Sequence, residues 1–257
     1  MAGTVLSAGP GVDSALIGRR VITRTDRYGG YAERAVADAS RLVAVPDGMD
    51  LREAAALIHD GLTGMALFEA AGIQPGEWVL ITAAAGGMGV LLVQLAHAAG
   101  GRVIGTARGK RKLDLVDELR AEVVLDHTEP GWAQRAREAT GGKGPDVVLD
   151  GAGGEVGLAA SEVAAPGCRF SAHGAAAGGF AQVDPDEAAR RGITLRGIGD
   201  IHAALADERR LTGRALAEAA AGRLRPVIGR TFPLERAADA HAAIEAREVL
   251  GKTLLLV

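Results

Sequence analysis

The sequence of 257 residues contains a single cysteine, Cys168, and aromatic residues make up only 3% of it. One cysteine excludes an internal disulfide and a zinc site built from several thiolates. No apolar run reaches the roughly 20 residues that a membrane-spanning helix needs. The N-terminus has no basic segment followed by a long apolar core, so no signal peptide is evident. These absences predict a soluble, cytoplasmic protein with no membrane partner.

Lysine is also scarce, with four residues among the 29 basic ones, and the formal net charge is −3. This slightly acidic balance argues against a nucleic-acid partner, which would favour a basic surface. Hydrophobic residues still account for 48% of the chain. A chain of this length therefore has enough apolar content for one large domain or two modest ones.

The central part of the chain, from Glu77 to Gly199, alternates short β-branched runs with amphipathic segments. This alternation predicts an α/β fold with a doubly wound, six-stranded parallel sheet covered on both faces. The predicted strands are Trp78–Thr82, Arg102–Thr106, Glu122–Leu125, Asp146–Leu149, Arg169–Ala172 and Thr194–Ile198. The predicted helices between them include Val90–Ala99, Lys110–Leu119 and Glu155–Ala164.

The two ends of the chain have a different pattern, with short apolar runs separated by glycine and proline turns. This pattern predicts antiparallel β structure near the N-terminus and further strands near the C-terminus, folded into one β-rich unit. The expected strands are Gly3–Leu6, Arg20–Thr23, Tyr31–Ala37, Pro226–Thr231 and Thr253–Val257, with a helix at Leu234–Ala246. A helix over residues 50–71 is expected to break near Asp60 and Gly61.

A small-residue turn, Ala83–Gly89, connects the first predicted strand of the sheet to a helix. Ala84 holds the first position of a dinucleotide-binding fingerprint, Gly86 allows close approach of the backbone to a pyrophosphate, and Gly89 allows the helix to pack on the strand. The helix N-terminus would offer N–H groups to the anion. A tight turn that binds no ligand is the alternative interpretation.

Motifs along the whole chain resemble the medium-chain dehydrogenase/reductase superfamily, on the zinc-free quinone oxidoreductase (zeta-crystallin-like) side. They include Gly29–Glu33, Gly61–Gly64, the Ala83–Gly89 turn, Asp146–Asp150, Phe232–Glu235 and Gly251–Thr253. The resemblance implies a Rossmann domain over residues 50–224 and a partial GroES-like domain formed by residues 1–49 and 225–257. It also implies that the usual first sixty or so residues, which supply part of the substrate pocket, are missing.

The segment after the second predicted strand indicates which nicotinamide cofactor would bind. It carries Arg108 and Lys112 but no carboxylate before Asp114. Basic side chains attract a 2′-phosphate that a carboxylate would repel, which favours NADPH. His127 follows the third strand and could reach the same phosphate. A solvated basic helix start is the alternative.

The resemblance also places further cofactor contacts at the carboxyl ends of the strands. Thr63 corresponds to a hydroxyl residue near the nicotinamide ribose, and Lys252 to a C-terminal Gly-Lys pair, although a surface lysine is an equal alternative. The remaining predicted cofactor residues are Ala85, Gly86, Gly87, Met88, Gly89, Thr106, Gly151, Ala152, Ser171, His173 and Gly174.

The catalytic residues are the least defined part of the sequence. Asp60 occupies the position of a cysteine ligand in zinc-dependent relatives, but three protein ligands cannot be assembled, so no metal is expected. Asp60 could cap a helix, face the nicotinamide or bind a metal, and His59 is an equally weak candidate.

The resemblance implies an NADPH-dependent, zinc-independent reductase of a quinone or an α,β-unsaturated carbonyl. An enoyl-thioester reductase and an NADPH-binding protein without turnover are the alternatives. A homodimer that pairs the edge strands near Thr194–Ile198 is also expected.

Overall fold

The computed structural model describes residues 1–25, 29–204 and 207–257. The chain divides into two compact units, one made of Met1–Met65 with Asp207–Val257 and the other of Ala66–Ala206. Both chain ends thus belong to one unit. The finer domain boundaries at residues 49 and 225 stay predictions.

The described residues contain strands that are numbered β1 to β11 along the chain. Their bounds are β1 Ala2–Thr4, β2 Arg20–Ile22, β3 Val43–Ala44, β4 Trp78–Thr82, β5 Arg102–Ala107, β6 Val123–Asp126, β7 Val147–Asp150, β8 Arg169–Ala172, β9 Thr194–Gly197, β10 Ile228–Pro233 and β11 Lys252–Leu256. The helices are α1 Leu51–Ala71, α2 Gly87–Ala98, α3 Lys110–Glu118, α4 Trp132–Ala139, α5 Gly154–Glu162, α6 Pro185–Arg190, α7 Ile198–Ala204, α8 Glu208–Ala220 and α9 Ala237–Glu245. Within these residues, no helix is long and apolar enough to cross a membrane.

Strands β4 to β9 form one six-stranded sheet in the order β6-β5-β4-β7-β8-β9, and every neighbouring pair is parallel. A helix separates each strand from the next along the chain. After β6 the chain returns to the other side of β4, so the winding direction reverses between β4 and β7. This arrangement confirms the predicted doubly wound fold, and its switch point is where open α/β sheets bind ligands.

The central strands of the sheet are buried because they are short apolar runs covered on both faces. All five residues of β4 are buried, and so are all four of β7. Phe170 and Cys168 pack in the core at 1% exposure each. Burial raises the pKa of the Cys168 thiol to about 12, so this cysteine stays protonated and packs as a small core side chain.

The unit that contains both chain ends has two separate small sheets among its described residues. Strands β1, β2 and β3 are antiparallel, with Val21 opposite Ala44 and Gly3 opposite Val21. Strands β10 and β11 pair in parallel, and Phe232 packs there against α9.

Two local predictions for this unit are wrong. No strand forms over Tyr31–Ala37, because β1 and β3 already occupy both edges of β2 and Val36 remains 95% exposed. Helix α1 also continues through Asp60 and Gly61 without a break. A side chain at Gly61 would lie 3.0 Å from the Cβ of Ala215, so this glycine allows close helix packing and does not end a helix.

Candidate functional site

The turn after β4 presents free backbone donors at the start of α2. Ala83 adopts a left-handed conformation with φ of 50°, and Gly86 N–H donates to its carbonyl oxygen at 2.9 Å. The first helical hydrogen bond runs from Val90 N to Gly86 O at 3.0 Å. The N–H groups of the three residues before Val90 therefore have no partner in the preceding turn of the helix. This is the donor arrangement that binds a phosphate at a helix N-terminus.

The packing of the turn distinguishes its two flanking glycines. A Cβ on Gly89 would lie 2.4 Å from Ala83 O and 2.7 Å from Ala84 Cα, so this position admits only glycine. A Cβ on Gly86 would meet only Ala83 O, at 3.2 Å, and the residue is partly exposed. Gly89 therefore seats the helix on the strand end, while Gly86 leaves the outer side of the turn open.

Strands β4 and β7 are tied together at their carboxyl ends, beside the switch point. Thr82 Oγ1 donates to Asp150 Oδ1 at 2.6 Å, and the N–H groups of Ala152 and Gly153 donate to the same oxygen at 3.2 and 3.0 Å. Asp150 is completely buried, and desolvation raises its pKa despite these hydrogen bonds. The carboxyl group thus fixes the backbone at predicted site residue Ala152.

The loops that follow strands β7 and β8 are also in close contact. The N–H groups of His173 and Gly174 both donate to Asp150 O at 3.0 Å. A Cβ on Gly174 would lie 2.0 Å from Gly151 O, so the two loops touch through their backbones. Three predicted site residues, Gly151, His173 and Gly174, therefore lie together.

The ring of His173 is held in a poorly solvated place at this edge of the sheet. Ser171 Oγ lies 3.4 Å from His173 Nδ1, and the side of the ring that carries Nε2 faces Gly151. Desolvation lowers the pKa of His173 to about 4. The imidazole is therefore neutral near pH 7 and can offer one N–H donor and one acceptor.

The loops after β5 and β6 form the other side of the carboxyl edge. Ala107 lies opposite Asp126 in the register, and His127 N–H donates to Ala107 O at 3.2 Å. Arg108 is exposed and has no ion-pair partner among the described residues. The structure thus brings predicted residues Arg108 and His127 to the ends of adjacent strands.

Two further predicted residues flank this basic loop. Thr106 is fully buried, and its hydroxyl has no hydrogen-bond partner within the described part of the chain. Its carbonyl oxygen accepts from Ala84 N at 2.9 Å, which links β5 to the glycine turn. Lys112 is half-buried in the first turn of α3.

The remaining predicted residues lie in the other unit, where α1 and β11 supply them. Lys252 Nζ donates to Asp60 Oδ2 at 2.9 Å, and the Asp60 side chain is only 8% exposed. Gly251, with φ of 53°, precedes Lys252, and a Cβ there would lie 2.1 Å from Val227 O. This tight turn fixes the start of β11 and explains the Gly-Lys pair. Asp60 therefore lies within α1 and does not cap a helix, and Lys252, although its side chain is 29% exposed, is paired with it.

His59 and Thr63 complete this second set. Desolvation lowers the pKa of His59, Asp60 opposes that shift, and Lys252 and Arg24 add to it. His59 is exposed, whereas Thr63, one helical turn later, is buried. Residues four apart share a helix face, so the two side chains lie on one side of α1.

Metal binding requires several donor side chains close together. Across residues 1–25, 29–204 and 207–257, no three His, Cys, Asp or Glu side chains are placed to share a metal ion. A catalytic zinc needs three protein ligands. The described donors therefore offer no such set around Asp60.

Two carboxylates organise this edge of the sheet. Asp126 was not among the predicted site residues, and Asp150 was predicted only as the end of the Asp146–Asp150 motif. Gly109 N–H donates to Asp126 Oδ2 at 2.7 Å, across 17 residues of sequence. Asp150 is preceded by an apolar run and lies opposite Thr82. Both residues end a strand, and that position is the signal that could have identified them.

The chain resembles known proteins over its full length. A family model described as zinc-binding dehydrogenase matches residues 87–204. The quinone oxidoreductase of Sus scrofa is 31% identical over 264 residues, which cover 100% of this chain and 78% of that protein. A 2-haloacrylate reductase of a Burkholderia species is 31% identical over 265 residues, covering 99% of this chain and 79% of that protein.

A solved structure has the same fold. The Escherichia coli quinone oxidoreductase complexed with NADPH superposes with a TM-score of 0.90 at 26% identity, covering 100% of this chain and 80% of that one. This superposition shows that the two chains share one fold. The similarity in sequence and the shared fold together show that this chain belongs to the quinone oxidoreductase family of the medium-chain dehydrogenase/reductase superfamily.

Proposed function

We propose that this protein is an NADPH-dependent oxidoreductase that reduces a quinone or an α,β-unsaturated carbonyl compound without zinc. The observation that carries the proposal is the glycine turn at the switch point, where Gly89 seats α2 directly on the end of β4. Family membership supports an oxidoreductase of the quinone reductase type. The E. coli relative was solved in complex with NADPH.

The residues of the turn fit a dinucleotide. The N–H groups of Gly87, Met88 and Gly89 point out of the first turn of α2 and would hold the pyrophosphate, with Ala85 and Gly86 allowing its approach. The loops that carry Ala152 and Gly174 are fixed because these residues donate to the carboxylate and to the carbonyl oxygen of Asp150, and they would line the middle of the cofactor. Arg108, Lys112 and His127 would bind the 2′-phosphate.

Bound NADPH supplies the hydride, so the protein has to orient the cofactor, exclude water and deliver a proton. His173 would present an uncharged ring to the cofactor, since burial keeps it unprotonated near neutral pH. Asp60 accepts a hydrogen bond from the Lys252 ammonium. We therefore assign Asp60 the role of positioning Lys252 and not that of a proton donor. His59 lies on the same side of α1 as Thr63, and its lowered pKa leaves it mostly neutral near pH 7, so it could relay a proton from solvent and not supply one from a standing imidazolium.

The test is the oxidation of NADPH by the purified protein with a panel of acceptors. An ortho-quinone, a simple enone, a 2-haloacrylate and an enoyl thioester are compared at equal concentration, because a relative is named for 2-haloacrylate reduction. The proposal predicts turnover of the free quinone or enone above the thioester. A large preference for the thioester would favour an enoyl-thioester reductase. Tight NADPH binding without reduction of any acceptor would favour the role without turnover.

Zinc independence is tested separately with a chelator. Since the described donors give no three-ligand set, we expect full activity after dialysis against a strong chelator and no gain on adding Zn²⁺. Loss of activity that zinc alone restores would refute this part of the proposal.

We also infer a homodimer. Strand β9 lies at the edge of the six-stranded sheet, and two copies could pair these edges around a two-fold axis. Ultracentrifugation at micromolar concentration checks this expectation, and a monomer would contradict it. The cytoplasmic location stays a prediction.

A further inference from the structure

The loop between β5 and α3 depends on a residue from a different strand. Gly109 is the residue before α3 and adopts φ of 81° and ψ of 153°, a conformation that is essentially restricted to glycine. Glycine has no side chain, so it cannot cap the helix. Asp126, at the end of β6, contacts this position instead.

Both oxygens of the Asp126 carboxylate are used. Oδ2 accepts from Gly109 N at 2.7 Å, while Oδ1 accepts from Thr128 N at 2.9 Å and from Thr128 Oγ1 at 2.6 Å. Burial opposes ionisation, but the hydrogen bonds from Thr128 and Gly109 outweigh it and hold the pKa of Asp126 below its ordinary value. An asparagine could not replace it, because its NH₂ group would face an N–H donor on one side or the other.

This contact fixes the place of Arg108. The arginine lies between Ala107, which is locked in β5 opposite Asp126, and Gly109, which is bound by the Asp126 carboxylate. Its guanidinium is exposed and has no ion-pair partner in the described part of the chain. The backbone on both sides of Arg108 is therefore held by the β5–β6 pair.

A carboxylate at this edge could act on a 2′-phosphate in two opposite ways. Its charge would repel the phosphate, as the ribose-binding acid of NAD-dependent enzymes does. Its hydrogen bonds, however, are directed at protein donors, and they hold the basic loop that would attract the phosphate. The three contacts to Gly109 and Thr128 favour the second effect.

We propose that Asp126 is a positioning residue that confers preference for NADPH over NADH, because its carboxylate holds the Arg108–Gly109 turn in place for the 2′-phosphate. The inference rests on the proposed function, since it assumes that the cofactor carries that phosphate at this loop.

The experiment measures dissociation constants of NADPH and NADH for the full chain and for four variants. Asp126→Ala removes the contacts to both Gly109 and Thr128, whereas Asp126→Asn breaks one of the two, because its NH₂ group has to face one of these donors. Gly109→Ala disturbs the same turn through its backbone and leaves all charges unchanged. Asp114→Asn is the matched control, because it removes an exposed carboxylate of α3 that pairs with Lys110 at 2.7 Å and does not touch the turn.

We expect both Asp126 variants and Gly109→Ala to weaken NADPH binding about tenfold, equivalent to about 1.4 kcal/mol, with NADH binding within about twofold of wild type. A variant that merely misfolds would lose both cofactors together, and Gly109→Ala then decides the case. Asp114→Asn should bind NADPH as well as wild type or better.

Tighter NADPH binding by both Asp126 variants would overturn the inference, because it would show that the charge repels the phosphate. An unchanged NADPH preference in the Asp126 and Gly109 variants would also overturn it, while the proposed function would stand. A wild-type protein that binds NADH as tightly as NADPH would contradict the cofactor proposal itself and the inference with it.

Discussion

The two glycines of the fingerprint turn can be separated by a pair of alanine substitutions. In Gly89→Ala the new Cβ would lie 2.4 Å from Ala83 O, whereas ordinary contact begins at 3.4 Å. Helix α2 or the turn must therefore move by about 1 Å, and overpacking of this kind costs about 1–3 kcal/mol. Alanine regains up to about 1 kcal/mol of helix propensity. We expect a net loss of about 1–2 kcal/mol in the free energy of unfolding.

In Gly86→Ala the expected effects are reversed. Gly86 has φ of −78° and ψ of 170°, which alanine adopts freely, and its Cβ would meet only Ala83 O at 3.2 Å. We expect stability within about 0.5 kcal/mol of wild type, because little packing changes. The methyl group would, however, lie where the pyrophosphate approaches, so NADPH affinity should fall by at least about tenfold.

Urea unfolding and NADPH titration of both variants provide the assay. Wild-type stability in Gly89→Ala would refute the packing argument, since the close contacts involve backbone atoms that cannot rotate away. Undiminished NADPH binding by Gly86→Ala would refute the assignment of the pyrophosphate to this turn.

Three further predictions concern charged and titratable groups. Lys252→Met leaves the buried Asp60 carboxylate without its partner and should lower the free energy of unfolding in urea by about 2–4 kcal/mol. This loss is somewhat smaller than for a fully buried pair, because the Lys252 side chain is 29% exposed. A loss below about 0.5 kcal/mol would contradict the pairing. The pKa of His173 is about 4 in the folded protein and near 6.5 in the unfolded chain, so the unfolded state binds more protons between these values and stability should fall as the pH is lowered through them. His173→Phe should flatten that part of the stability profile, and an unchanged slope would refute the assignment. Arg108→Ala should weaken NADPH about tenfold and leave NADH unaffected in parallel titrations, whereas an equal loss of both would exclude a specific 2′-phosphate contact.

The nucleotide-binding half of the fold was predictable because its signal is local. Trp78–Thr82 and Arg169–Ala172 are continuous apolar runs that end in turn residues, and both predicted strands match the structure. The packing role of Gly89 also followed from its place after a strand, and the structure gives the contacts that require it.

The other unit was less predictable because its structure depends on distant partners. Tyr31–Ala37 has the composition of a strand, but both edges of β2 are occupied by other segments. From the sequence alone, Gly61 resembles a helix breaker. Its role in packing depends on Ala215, which lies 154 residues later in the chain. The Asp60–Lys252 pair joins residues separated by 192 positions, a contact that no local pattern indicates.

The carboxylates of the candidate site show the same limit. The basic segment after β5 suggested a phosphate site because the sequence contains no acid nearby, yet Asp126 reaches Gly109 from the end of β6. The effect of the Asp126 charge on a bound phosphate depends on the N–H and O–H donors around the carboxylate, which the sequence does not show. Asp150 likewise gains its role from Thr82 and the loop at Ala152.

The central claim is that hydride passes from NADPH to an electrophilic acceptor on this protein. Its most direct test uses NADPH deuterated at the transferred position with an enone acceptor, followed by mass spectrometry of the product. We predict one deuterium at the β-carbon of the saturated carbonyl product. A product without deuterium, or no reduction of any acceptor by a protein that binds NADPH, would contradict the account.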